Sequence, residues 1–184
     1  AEPGSSDKKV NVALSVVWEG NTYAMQSRNE FYARTDQLKK EGVIDKVFYT
    51  NADNSAEKQV ADLEDLLNQP VDILILQPIN APALTGVIDK FMAKGVTVIS
   101  VVSPLATDNY SAQMVANDRA FGSEGAQWLV DKLNGKGNII ALDGIDGLSV
   151  AQERWAGAES VFEKYPDIKV LSKVYADWDY AKGK

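Results

Sequence analysis

Neither cysteine nor histidine occurs among the 184 residues. Their absence removes thiol nucleophiles, Ser/His/Asp triads, imidazole general bases and the usual zinc and haem ligand sets. It also leaves no disulfide to report on redox compartment and no N-terminal cysteine to carry a lipid. Basic residues are the minority charge: 19 Lys and Arg stand against 26 Asp and Glu, a net charge of −7. Nucleic acid and anionic membrane both reward clustered cations, so no nucleic-acid partner is expected. No apolar run reaches the roughly 18 residues that span a bilayer. No G-x-G-x-x-G follows the first apolar run and no G-x-x-x-x-G-K-[ST] occurs, which disfavours a nucleotide-dependent enzyme. The two acids of DGIDG (143–147) lack the longer alternating ligand run of an EF-hand, and no metal or cofactor is expected.

What is present is the material of packed α/β layers, with 45% of residues hydrophobic. Short β-branched runs at 10–17, 43–50, 71–77, 96–102, 113–117, 138–142 and 168–175 alternate with segments of helical period. This is the pattern of βα units building parallel sheets. Ala56, Val60, Leu63 and Leu67 fall at i, i+4, i+7 and i+11, and Pro70 closes the stripe. Leu84, Ile88 and Phe91 repeat the device before Gly95, Ala24, Phe31 and Leu38 before Gly42, and Ala126, Leu129 and Leu133 before Gly135. The rhythm breaks at SPLATDNYS (103–111), which leaves no room for a helix and reads as a lobe boundary. The expected organisation is a polar lead at 1–8, a first lobe at 9–103, a hinge at 104–111 and the first part of a second lobe at 112–184. On this division the first lobe has four strands and three helices, and the second has three strands and two helices. The chain starts at Ala1, consistent with a removed signal peptide or with an artificial boundary.

In an open parallel sheet, ligands bind beyond the carboxyl ends of the strands. The residues there are Trp18, Glu19, Asn21 and Tyr23 after the first strand, Gln77 and Asn80 after the third and Ser103 after the fourth, with Asp177 beside Trp178 after the last. Asn117, Asp118, Asp143 and Trp178 hold the same place later in the chain. Aromatic faces among amides and carboxylates suit a polyhydroxyl compound, whose C–H faces stack on rings while its hydroxyls need donors and acceptors. Plainer roles compete at each position. Asn21 or Thr22, Asn80 and Asp118 suit helix N-caps; Trp18 and Tyr23 suit a core or interface; Gln77 suits bonding to loop amides; Asp143 suits a turn. Arg154 is the sharpest signal. With Ser149 taken as N-cap, it projects on the face of Val150, Ala158 and Val161, where an unpaired guanidinium is costly. It needs a ligand or a carboxylate, with Asp143, Asp177 and Asp179 as candidates.

These segments resemble the type I periplasmic sugar-binding proteins of ABC transporters, the ribose-binding-like group, which share their fold with repressor cores of the lactose-repressor type. The resemblance rests on EGNTY (19–23), VDILILQPIN (71–80), GVTVISV (95–101), VANDRAFG (115–122), GKGNIIALDGIDGLSVAQERWAG (135–157) and VYADWD (174–179). It implies two Rossmann-like α/β lobes joined by a hinge, an extracytoplasmic location, and capture of a sugar or polyol between the lobes for delivery to a membrane permease. It also implies that Gln77, Arg154 and Trp178 sit at ligand-binding positions, with Tyr23 matching an aromatic of the first turn. Two departures stand out. Family members often end the fourth strand with an Asp that grips sugar hydroxyls, where this chain has Val102 and Ser103. Full members also continue through the rest of the second lobe and back to the first, so completing the fold is expected to need a further carboxyl-terminal segment or another chain. The alternatives are the effector core of a repressor or a sensor module, and an acid/base enzyme, for which the missing nucleophiles speak poorly.

Overall fold

A computed structural model describes residues 9–184, and the polar lead at 1–8 lies outside the described residues. The chain divides into two compact units, Ala1–Val115 and Ala116–Lys184.

The first unit is built from β1 (Val10–Val16), α1 (Thr22–Lys40), β2 (Ile44–Asn51), α2 (Ala56–Leu66), β3 (Ile73–Leu76), α3 (Ala81–Ala93), β4 (Thr97–Val102) and β5 (Ala112–Val115). Its strands form one parallel sheet in the order β2-β1-β3-β4-β5. β1 is buried from Val12 to Ser15, as a central strand covered on both faces must be. The expected stripes of α2 and α3 supply the cover. Leu63, Leu84, Ile88 and Phe91 pack with Leu74, Leu76 and Val98 into a core closed to solvent. In α1 the expected Ala24, Phe31 and Leu38 are only half-buried, and Thr35 is the residue fully covered.

The boundary expected at 104–111 is corrected by the sheet. Ala112–Val115 pairs with β4, from Ile99 opposite Ala112 to Val102 opposite Val115, so this strand belongs to the first unit. Among the described residues the first unit therefore has five strands and the second two. The intervening segment returns to the same sheet without a helix because its own residues fasten it. Leu105 and Tyr110 pack on the core. Val98 donates its N–H to Ser111 Oγ at 3.1 Å, and Leu105 donates to Gln113 Oε1 at 3.0 Å.

The second unit comprises α4 (Asp118–Lys132), β6 (Gly137–Asp143), α5 (Ser149–Phe162), β7 (Ile168–Tyr175) and a four-residue helix, α6 (Tyr180–Gly183). β6 and β7 form a parallel pair. α4 and α5 touch backbone to backbone at two glycines. A Cβ on Gly122 would lie 1.9 Å from the Arg154 carbonyl oxygen, and one on Gly157 would lie 2.0 Å from that of Arg119. Only a residue without a side chain permits that approach. Beneath the contact, Ala126, Val130, Val161 and Ile168 make a small core. The other face of the strand pair is open, with Ile140, Leu142 and Val174 exposed, as is Leu171 at the irregularity in β7.

Candidate functional site

The expected residues of the first unit stand at the carboxyl end of its sheet. Asn21 caps α1, its Oδ1 accepting from the Ala24 N–H at 2.8 Å, which settles the choice between Asn21 and Thr22. Trp18 is half-buried with its indole folded over Gly20, where a Cβ would meet the ring at 1.6 Å. Tyr23 is 63% exposed on the first turn of α1. Between them Glu19 is fixed from two elements: Arg28 donates to it at 2.7 Å, and the Tyr49 hydroxyl of β2 donates to its other oxygen. Burial, then the carboxylate it faces, raises the Tyr49 hydroxyl well above its ordinary value and keeps it protonated.

The ends of β3 and β4 are set by buried polar groups. Gln59 of α2 is completely buried. Its amide donates to the Gln77 carbonyl at 2.8 Å and to Ser15 Oγ at 3.3 Å, and accepts from the Ile79 N–H at 3.0 Å. Gln77 thus leaves the sheet with its backbone held and its side chain half-buried. Asn80 caps α3 as expected, accepting from Ala83 at 3.2 Å. At the end of β4, Val102 has φ +70°, and Ser103 donates its N–H back to the Val101 carbonyl at 2.8 Å. A β-branched residue in this region costs about 1–3 kcal/mol. The turn places Ser103 inside, 7% exposed, where its carbonyl accepts from the Ser100 hydroxyl at 2.8 Å.

In the second unit Asn117 and Asp118 divide the roles expected at the start of α4. Asn117 is the cap, accepting from Ala120 at 3.0 Å, and Asp118 is the first helical residue rather than the cap. Asp118 is the carboxylate that Arg154 requires. Arg154 Nε donates to Asp118 Oδ1 at 2.8 Å, and its guanidinium lies 4.6 Å from the centre of the Phe121 ring. Asp143, Asp177 and Asp179 are not its partners: Asp143 pairs with Lys173, Asp177 with Lys182, and Asp179 caps α6. Leu148, not Ser149, is the N-cap of α5 and forms no side-chain cap bond; Ser149 is the first helical residue.

Asp143 ends β6 with one carboxylate oxygen hydrogen-bonded and the other, buried, held by charge alone. Oδ1 accepts from the Gly144 N–H at 2.8 Å, and Oδ2 lies 3.0 Å from Lys173 Nζ. The Trp178 indole rests on Gly144, where a Cβ would come within 2.2 Å of the ring. Asp143, Gly144, Arg154 and Trp178, with Phe121 and Trp155, border one cavity of about 650 Å³. Leu129, Ile139, Ile140, Leu142 and Phe162 line the rest of it, so the charged and aromatic groups at the end of β6 border a space that runs back along an apolar wall.

A family model described as a periplasmic binding protein domain matches residues 12–184. The chain belongs to this family. Over 176 residues it is 30% identical to a xylitol-binding protein of Mycolicibacterium smegmatis, covering 95% of the chain and 48% of that protein. Over 186 residues it is 30% identical to the ribose import binding protein RbsB of Bacillus subtilis, covering all of the chain and 58% of that protein. An ABC transporter solute binding protein from Thermobispora bispora superposes with a TM-score of 0.88 at 27% identity, covering 95% of this chain and 54% of that one. The periplasmic binding protein domain thus spans about half the length of these relatives.

Several residues that shape this periplasmic binding protein domain were not singled out from its sequence. Gln59 had a signal, since it shares a helix face with Leu63 and Leu66 at i+4 and i+7 and so was due for burial. Phe121 follows Asp118 by three residues and so sits on the same side of the first turn of α4. Lys173 carried no such signal, because its partners Asp143 and Trp155 come from two other elements.

Proposed function

We propose that this chain is the ligand-binding part of an extracytoplasmic solute-binding protein that captures a monosaccharide or polyol and presents it to an ABC transporter permease, without turning it over. The observation that carries the reading is the grouping of Arg154, Trp178 and Phe121 about one cavity. The guanidinium is anchored by Asp118 through Nε, which leaves its terminal nitrogens to donate to hydroxyls. The indole, laid on Gly144, supplies a face for a sugar's C–H groups. The names of the relatives point to the same ligand class, xylitol being a polyol and ribose a pentose. On this reading Asn117, Asp118 and Asp143 add to the contacts of the second unit, and Trp18, Asn21, Tyr23, Gln77 and Ser103 are the contacts that the first unit offers.

The test is calorimetric titration of the wild-type chain and of Arg154→Ala and Trp178→Ala with xylitol, ribose, other pentoses and hexoses. Truncating a buried anchor should cost roughly 2 kcal/mol of binding or more. If both variants bind the cognate compound as the wild type does, the site is wrongly placed.

A further inference from the structure

Lys173 is an unusual place to find an ammonium. It lies in β7 with a side chain only 20% exposed, 4.8 Å from the centre of the Trp155 ring of α5 and 4.7 Å from that of Tyr175. Its Nζ sits 3.0 Å from Asp143 Oδ2 at the end of β6 and donates to the Tyr175 hydroxyl at 3.1 Å. One cation therefore joins the ends of both strands to α5. An ammonium set against an indole ring and bonded to a phenol hydroxyl is held more firmly than a lone surface ion pair.

What it holds continues to the cavity. With Asp143 fixed, its backbone carbonyl accepts from the Ala176 N–H at 2.9 Å, and the Gly144 carbonyl accepts from the Asp177 N–H at 3.1 Å. Trp178 follows directly and lies on Gly144. Asp177 and Trp178 both have left-handed backbones, φ +54° and +52°. Such a conformation at a bulky residue persists only where its surroundings hold it. The ladder from Asp143 to Asp177 is that support, and Lys173 is the side chain that secures its start.

We infer that Lys173 is a positioning residue: through Asp143 and Gly144 it fixes the indole of Trp178 in the orientation that faces the cavity. The geometry stands without any ligand, and only its consequence for binding rests on the sugar-binding reading above.

The experiment has two arms on the full chain. In the first, the indole N–H resonance of Trp178, assigned with Trp178→Phe, is followed without ligand in Lys173→Met, Lys173→Arg and Asp143→Asn. Lys173→Met and Asp143→Asn should shift and broaden it, while Lys173→Arg, which keeps the cation, should leave it near its wild-type position. An unmoved resonance in a folded Lys173→Met or Asp143→Asn protein overturns the inference. In the second arm, the dissociation constant of the compound that binds the wild type is measured in a double-mutant cycle of Lys173→Met and Trp178→Ala. Lys173→Met should weaken binding about tenfold in the wild-type background and hardly at all with Trp178 already removed. Equal losses in both backgrounds overturn the inference even if the sugar-binding reading holds. If the wild type binds no sugar or polyol, that reading fails, and the first arm still decides the role of Lys173.

Discussion

Gln59 is a single residue on which three backbone and side-chain groups of the first unit depend. Replacing it with leucine preserves the volume but leaves the Gln77 carbonyl and the Ile79 N–H without the partners they have now. A buried polar group left unpaired costs about 1–3 kcal/mol. Gln59→Leu should therefore lower the unfolding free energy by at least that much in urea denaturation, and an unchanged midpoint would show that the loop finds other partners. Arg154 tells the complementary story. Its need for a carboxylate was legible because a guanidinium on an apolar helix face cannot stay unpaired. The identity of that carboxylate was not, because Asp118 comes from another helix, whose approach depends on Gly122 and Gly157.

Among the described residues, the seven strands and five of the six helices follow the apolar periods of the sequence within a few residues, although the stripe of α1 is only half-buried and β5 and β7 are largely exposed. The assignment of the fifth strand to a sheet did not follow, because pairing depends on the loop at 103–111 being tied down by Leu105, Tyr110 and Ser111. Among element contacts, that of α4 with α5 is the most sensitive to a single atom. Gly157→Ala puts a methyl group where the Arg119 carbonyl stands, and overpacking of this kind costs about 1–3 kcal/mol. By parting the helices it should also lengthen the Arg154–Asp118 bond, so sugar affinity should fall with stability; a variant with wild-type stability and affinity contradicts the contact.

The links between elements also set an alkaline limit. Tyr49 is raised by burial and then by its bond to Glu19. Lys173 is lowered by burial but raised by more through Tyr175 and Asp143, for a net rise. For both, the folded state holds its proton more tightly than the unfolded chain, whose values lie near about 10. The stability they contribute is complete below that value and lost as pH rises toward the folded values. Urea midpoints should thus hold up to about pH 10 and fall above it, and Tyr49→Phe should be less stable at pH 8 but show a shallower decline. A variant with the wild-type slope would remove Tyr49 from this account.

On the scale of the whole chain, the open face of the second unit and the domain's likeness to proteins of about twice its length belong together. Ile140 is 76% exposed and Leu171 63%, an apolar surface that a lone molecule rarely presents. We expect the 184-residue chain to associate as its concentration rises, and paired Ile140→Lys and Leu171→Glu substitutions to reduce that in light scattering. A wild-type chain that stays monomeric at high concentration would contradict this. Fold class and the residues at the strand ends could be read from sequence because both follow from local pattern. The partners of Glu19, Gln59 and Lys173 could not be read in the same way, since each joins residues from separate elements.

The central claim is that these residues bind a sugar or polyol, and thermal unfolding with a panel of pentoses, hexoses and polyols tests it most directly. A compound present at 100 times its dissociation constant stabilises the folded state by about 2.7 kcal/mol. The account predicts a clear rise in the unfolding midpoint with at least one neutral polyhydroxyl compound, and loss of that rise in Arg154→Ala. No rise with any member of the panel, or one that persists undiminished in Arg154→Ala, would contradict it.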